Sequence, residues 1–159
     1  MNRFTKITGE SRMTPKLHRK ERAQSLVELA FAMPIFLVLV MGIIDFSWGL
    51  QSWISVTNAA REGARYGAVH CASGDYTDAE VEQKAVDKAS GLDTSKLTAT
   101  VDTTDGVSCE ATPNSGESLV VDVTYDYELV TPLAGMMSFL GGGIPTSINL
   151  TTSANMRIE

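Results

Sequence analysis

The apolar stretch AQSLVELAFAMPIFLVLVMGIIDF, from Ala23 to Phe46, decides the fold of this chain. Its central part, from Leu26 to Ile44, carries a single ionisable side chain, that of Glu28. At about 1.5 Å per residue, a helix over this part covers about 28 Å, close to the hydrocarbon thickness of about 30 Å in a bilayer. The stretch therefore predicts a helix that crosses a membrane once.

The charges on the two sides of this stretch differ in sign. Residues 1–23 contain seven Lys or Arg and two Glu, a net charge of +5, whereas residues 24–159 contain six Lys or Arg and seventeen Asp or Glu, a net charge of −11. Basic flanks of membrane helices stay in the cytoplasm. We expect a single pass through the cytoplasmic (inner) membrane, with the N-terminus inside and the C-terminal part exported. Asp45, Trp48 and Trp53 would then mark the far interface, where indole rings are favoured.

Two other interpretations of the stretch fit less well. A removable secretory signal has a shorter apolar region that ends in a small-residue cleavage site, and the following segment, MGIIDFSWGL, offers no A-x-A site. A buried helix of a soluble protein would not require the basic flank. The membrane helix remains the prediction.

Glu28 lies near the edge of the predicted span, where an unpaired charge costs a few kcal/mol. Because this cost selects against accidental carboxylates, Glu28 is a candidate functional residue. A cut after Ala23 would place the new α-amino group of Gln24 about one helical turn away, in the same chain or in a neighbour. The alternative is that Glu28 simply extends towards the cytoplasmic face.

The helix is predicted to continue beyond the membrane, since no proline interrupts residues 50–69. Apolar or small residues recur there at three- and four-residue spacings, which predicts a narrow face that packs on the protein's own sheet or on a partner helix. These residues are Leu50, Trp53, Ile54, Thr57, Ala60 and Ala64. Arg61, Glu62 and Arg65 form either a solvated face with local ion pairing or a face that docks a partner.

Two segments, ERAQSLVELAFAMPIFLVLVMGIIDF and NAAREGARYGA, resemble the TadE-like proteins of the tight-adherence (Flp) pilus apparatus. The resemblance implies that a prepilin peptidase cuts between Ala23 and Gln24 and that Glu28 becomes the fifth residue of the mature chain. Ala23 stands where such proteins usually have glycine, and Leu29 stands where they usually have an aromatic residue. The implied function is that of a minor pseudopilin or assembly component of a type IV pilus-like system for adhesion or secretion. Its partners would be other pilins and pseudopilins, inner-membrane assembly proteins and the peptidase.

The remaining sequence predicts a small α+β head. Thr77 and Glu80 have the spacing of a capping box, which indicates the start of a second helix. Three segments have strand character: Leu97–Asp102, Ser118–Leu129 and Ser147–Ile158. In the middle segment, apolar and polar residues alternate, so that one face is buried and the other is wet. The buried face is predicted to comprise Val121, Val123, Tyr125 and Tyr127.

We therefore expect a pilin-like α+β fold in which an antiparallel sheet of three or four strands packs on the continued helix. The predicted parts are a basic cytoplasmic leader (1–23), a transmembrane helix (24–47), its continuation (48–70) and an exported head (71–159). The apolar link PLAGMMSFLGGGIP, residues 132–145, either touches a partner or the membrane or folds over the core as a loop.

Cys71 and Cys109 both fall in the predicted exported part, where they could form one disulfide. His70 beside Cys71 raises metal or thiol chemistry as an alternative, but the other histidine, His18, lies on the opposite side of the membrane. No nucleophile, zinc or cofactor motif is present, so we predict neither an enzyme nor a cofactor. The acidic exported part disfavours nucleic acid. The competing function is that of a permanently anchored extracytoplasmic binding module.

Overall fold

The computed structural model describes residues 17–74, 76–111, 113–139 and 141–159, without the side chains of residues 17–22 and 139. The predicted basic leader lies largely outside these residues, as do Asp75, Thr112 and Leu140. The chain divides into two compact units, one ending at Leu37 and one running from Val38 to Glu159. The four-part division expected from the sequence stays a prediction.

Helix α1 runs from Leu17 to His70 and contains Pro34. In the part of the chain that the structure describes, α1 is the helix that is both long enough and apolar enough to cross a membrane. Its large side chains between Leu26 and Ile44 are mostly exposed, with Phe31 at 76%. Exposed apolar surface of this kind matches a lipid environment, in which neighbours can also satisfy the carbonyl that a proline leaves free.

The sheet confirms the predicted α+β class and has three strands. Strands β1 (Leu97–Asp102), β2 (Ser118–Glu128) and β3 (Ser147–Arg157) lie in the order β1-β2-β3, and both pairings are antiparallel. In the register, Val121 lies opposite Val101 on one side and Ala154 on the other. The three strands thus present one apolar face.

Two further helices complete the second unit. Helix α2 (Asp78–Lys88) begins at the predicted capping box, in which Thr77 accepts a hydrogen bond from the Glu80 backbone and the Glu80 side chain accepts one from the Thr77 backbone. The apolar link after β2 contains a short helix, α3 (Leu133–Phe139), where the sequence suggested a loop.

The core lies between α1, α2 and the apolar face of the sheet. The α1 residues Val56, Ala59, Ala60 and Ala64 are buried in it. Facing them are side chains from α2 and the strands: Val81, Ala85, Leu97, Ala99, Leu119, Val121, Val123 and Ala154. Of the face predicted to be buried in β2, Val121, Val123 and Tyr127 are buried and Tyr125 is half-buried, whereas Val120 on the opposite face is buried as well.

The α1 face predicted to pack on the sheet or on a partner helix is buried in the core only in its C-terminal half, at Ala60 and Ala64. Leu50, Trp53 and Ile54 are between 42% and 52% exposed, and the buried residues at that level are instead Ser52 and Ser55. Ser55 Oγ donates a hydrogen bond of 3.0 Å to the carbonyl of Ser90. The close approach of the C-terminal end of α2 selects small side chains here, which a pattern of apolar spacing does not reveal.

Glycine permits the same close approach further along α1. A Cβ atom at Gly67 would lie 2.1 Å from Leu119 Cδ2 and 3.2 Å from Val81 Cγ2, and one at Gly63 would lie 2.8 Å from Ala85 Cβ. Gly63 and Gly67 belong to the NAAREGARYGA segment. The small residues of that segment thus set the distance between α1 and the rest of the core.

We expect Gly67→Ala to lower the free energy of unfolding by about 1–3 kcal/mol, because the added methyl overpacks a fully buried contact. The gain in helix propensity, about 1 kcal/mol, offsets part of the cost. The measurement is chemical unfolding of the detergent-solubilised chain, followed by near-UV circular dichroism. Gly42→Ala is the matched control, since nothing lies within 4 Å of its Cβ position. If Gly67→Ala and Gly42→Ala were equally stable, the close contact of Gly67 with Leu119 and Val81 would not set the distance between α1 and the core.

Candidate assembly and membrane-contact site

Glu28 is exposed near the start of the apolar part of α1. The Gln24 Nε2 atom donates a hydrogen bond of 3.3 Å to Glu28 Oε1, across one helical turn. Ala23 and Gln24, which flank the predicted cut, are also exposed and are consecutive residues of α1. The geometry leaves the carboxylate accessible to a second partner approaching from outside the chain.

Asp45 lies just beyond the predicted span and is buried, with 6% of its surface exposed. Its Oδ1 atom accepts hydrogen bonds from the backbone N–H groups of Val130 (2.9 Å) and Thr131 (3.0 Å), and its Oδ2 atom accepts one from the Thr131 hydroxyl. Its carbonyl accepts a 3.0 Å hydrogen bond from the Tyr127 hydroxyl. Asp45 thereby joins α1 to the end of β2 and the segment that follows it.

The Tyr127 hydroxyl is held in its protonated form. Burial raises the pKa of Tyr127, and the negative charge of Asp45 raises this pKa further. The phenol therefore remains a donor to the Asp45 carbonyl under ordinary conditions. Through these contacts the Asp45 carboxylate and the Tyr127 hydroxyl both have hydrogen-bond partners within the chain.

An apolar groove of about 400 Å³ lies beside Asp45. One wall is formed by residues of α1 at helical spacing, namely Phe46, Gly49, Leu50 and Trp53. The other wall comes from β2 and the segment between β2 and the middle of β3, namely Tyr127, Leu129, Leu133, Ile144, Ile148 and Leu150. The apolar link after β2 therefore forms part of the groove wall, since the buried residue Leu133 of α3 lines the groove.

Arg61, Glu62 and Arg65 lie on the side of α1 away from the core. Arg65 Nε donates a 2.8 Å hydrogen bond to Glu62 Oε2, and Arg61 is exposed. This hydrogen bond, followed by the charge of Arg65, lowers the pKa of Glu62. An exposed pair of this kind contributes little to stability. A role of these three residues in docking a partner stays a prediction.

Cys71 and Cys109 form a disulfide between the end of α1 and the approach to β2, with their Cα atoms 4.6 Å apart. Both residues are fully buried. The Cys109 backbone N–H also donates a 2.7 Å hydrogen bond to Asp78 Oδ1 at the start of α2. The disulfide therefore lies where α1, α2 and the loop before β2 meet.

No metal centre is assembled by the described residues. Within the part of the chain that the structure describes, no three His, Cys, Asp or Glu side chains are grouped so that they could hold a metal ion. His70 instead stacks on Tyr66, with ring centroids 4.2 Å apart, and contacts Tyr76.

Sequence reasoning placed Asp45 at the far interface but missed its role as an acceptor. The signal was available, because a lone carboxylate at the end of an apolar run must find donors when it is taken out of water. The identity of the donors, two consecutive backbone N–H groups and a hydroxyl about 85 residues later, depends on the tertiary fold.

The fold and these surfaces define a class of protein with one membrane-length apolar helix and a small α+β unit built around the continuation of that helix. The model of the TadE-like protein family matches residues 23–65. This match confirms the predicted resemblance and covers Glu28, Asp45 and the buried small residues of α1 from Ser52 to Ala64. No curated protein and no solved structure gives a significant match to the chain.

We expect Asp45→Ala to destabilise the second unit, because it leaves the N–H groups of Val130 and Thr131 without their acceptor. Both hydrogen bonds are partly buried, so each donor that loses its partner costs up to about 1–3 kcal/mol. Amide hydrogen exchange should accelerate at these two residues, and Asp45→Asn, which keeps one oxygen acceptor, should show a smaller effect. Unchanged exchange at both amides in Asp45→Ala would show that the carboxylate does not hold this segment.

Proposed function

We propose that this chain is a membrane-anchored minor pseudopilin or assembly component of a tight-adherence (Flp) pilus system. The observation that carries the proposal is an exposed, membrane-length apolar helix that begins with an exposed carboxylate, within the segment matched by the TadE-like family. In this function α1 holds the protein in the cytoplasmic membrane, with its N-terminus inside and residues 71–159 outside. The helix then enters, or helps to prime, a helical assembly of other pilins and pseudopilins.

Glu28 sets the axial register of this assembly. When α1 leaves the lipid and packs among other helices, the carboxylate becomes buried, and burial is tolerable only if a positive group meets it. The α-amino group of Gln24, created by cutting after Ala23, supplies that charge from the same chain or from a neighbour. A helix displaced along the axis by one turn, about 5.4 Å, would separate the two charges and leave both uncompensated.

The first test is whether a prepilin peptidase cuts the chain. We expect co-expression with an active peptidase to yield a mature protein that begins at Gln24, measured by intact mass and N-terminal sequencing, and an inactive peptidase to leave residues 1–23 in place. Ala23→Gly restores the usual residue before the cut and is the matched variant. Cutting of Ala23→Gly but not of the natural chain would mean that Ala23 prevents processing, and the register mechanism through a free Gln24 amino group would be wrong.

The second test removes the charge of Glu28. Glu28→Gln should insert into the membrane to the same extent as the natural chain, because an amide is no more costly there than a carboxylate. Its recovery in sheared pilus or pseudopilus fractions should fall strongly, since the amide gives no charge partner to an amino terminus. Glu110→Gln, on the exposed loop before β2, is the control. Normal assembly of Glu28→Gln would exclude the register role.

A permanently anchored binding module is the alternative function, and exchange of the anchor separates it from the pseudopilin. Replacing residues 24–44 by an unrelated transmembrane helix of equal length keeps the tether and removes Glu28. A pseudopilin loses assembly function in this chimera, whereas a tethered binding module keeps its activity.

A further inference from the structure

The exposed apolar surface of α1 does not end where the predicted span ends. Phe46 is 71% exposed, and Leu50 and Trp53 follow at 49% and 42% on the same helix face. Side chains from the other wall of the groove continue this surface, because Ile144 and Ile148 are also exposed in part. A single apolar surface therefore passes from the span into the groove without interruption by a free polar group.

The position of the groove along α1 places it at the membrane surface. From Phe46 to Trp53 the helix rises by about 10 Å at 1.5 Å per residue. The interfacial layer on each side of a hydrocarbon core is about 5–7 Å thick, half the difference between total and hydrocarbon thickness. If the span ends at Ile44, the groove begins at the hydrocarbon boundary and its far end at Trp53 lies about 13 Å beyond that boundary along α1, so that an acyl chain filling it rises out of the hydrocarbon core along the helix.

Asp45 would ordinarily prevent lipid from reaching this level. Its carboxylate is buried and receives three hydrogen bonds from Val130 and Thr131, and its carbonyl receives one from Tyr127. Polar groups satisfied within the protein are tolerated at membrane depth, whereas unsatisfied ones are not. The hydrogen bonds thus make the floor of the groove compatible with hydrocarbon.

We propose that the groove holds acyl chains of the membrane leaflet on the side of the second unit, so that the sheet end formed by the end of β2 and the start of β3 is seated in the lipid surface. The ligand is the hydrocarbon of a phospholipid. Because no basic side chain lines the groove, binding does not depend on anionic headgroups or on salt.

The chemistry of the lining favours lipid over a second copy of the chain. Protein interfaces carry about one hydrogen bond per 100–200 Å². The lining side chains offer no free donor, because the Tyr127 hydroxyl donates to the Asp45 carbonyl, and the Asp45 carboxylate already accepts three hydrogen bonds within the chain. An acyl chain requires no hydrogen bond, and it is the substance that already surrounds the adjoining residues of α1.

This inference rests on α1 crossing a membrane but not on processing or pilus assembly. A protein that is never cut or never assembled would still seat its groove in lipid. The test therefore uses the full chain in phosphatidylcholine vesicles, without any pilus component.

The chain has two tryptophans, Trp48 and Trp53, and one of them lines the groove. Trp48→Phe leaves Trp53 as the sole tryptophan, and the quenching of its selectively excited fluorescence is measured with phosphatidylcholine brominated near the headgroup end of its acyl chains. We expect strong quenching of Trp53 that is the same at low and high salt. Trp53→Phe, which leaves Trp48 next to the span, is the positive control for insertion.

Ile148→Asp places a charge on the groove wall at a residue that is already 47% exposed, so that the fold is expected to persist. In the Trp48→Phe background, it should abolish most of the Trp53 quenching. Asn155→Asp, on the exposed outer face of the same strand, should leave the quenching unchanged. Ile144→Asp, on the loop before β3, should repeat the effect of Ile148→Asp, and circular dichroism checks the fold of each variant.

Two results would overturn the proposal. Absence of Trp53 quenching while Trp48 is quenched would mean that the groove stays outside the lipid, as would quenching that Ile148→Asp and Ile144→Asp leave unchanged. A change in Trp53 emission that appears only at high protein-to-lipid ratio would identify a second copy, and not lipid, as the occupant.

Discussion

The close approach of α1 to α2 and β2 is the constraint on which the second unit depends. Between Ser52 and Ala68 the buried side chains of α1 are almost all Ala, Ser or Gly, with Val56 as the largest. At Gly67 even a methyl group would overlap with Leu119. A helix with this face brings its backbone near the sheet, so that branched residues from α2 and β2 fill the core.

The same helix has opposite requirements on the other side of Asp45. There its large apolar side chains are exposed, which is unfavourable in water and favourable in lipid. Past Asp45 one side of α1 is buried in the core, while Phe46, Leu50 and Trp53 continue the exposed apolar surface on the side of the groove. The Asp45 carboxylate does not face solvent but accepts hydrogen bonds from the segment after β2, and this arrangement brings the end of β2 to the level of α1 at which the groove begins.

These features give a physical account of why the TadE-like segment combines such different residues. Its first half supplies an anchor with an accessible carboxylate at Glu28, and its second half supplies the small face that organises the core. The charged residues Arg61, Glu62 and Arg65 lie outside both surfaces.

The sequence by itself determined the apolar helix, the capping box of α2, the three strands and the alternation in β2. Each of these depends on local spacing, propensity or hydropathy, which are properties of neighbouring residues. The resemblance of residues 23–65 also followed from short motifs. Only the tertiary structure decided which residues of α1 are buried, because Leu50 and Trp53 fit an apolar pattern equally well whether they face a core or a groove. The donors to Asp45, the helix α3 and the groove likewise depend on the tertiary structure. They lie where segments about 85 residues apart in sequence come together at one level of α1, and no local sequence pattern predicts this contact.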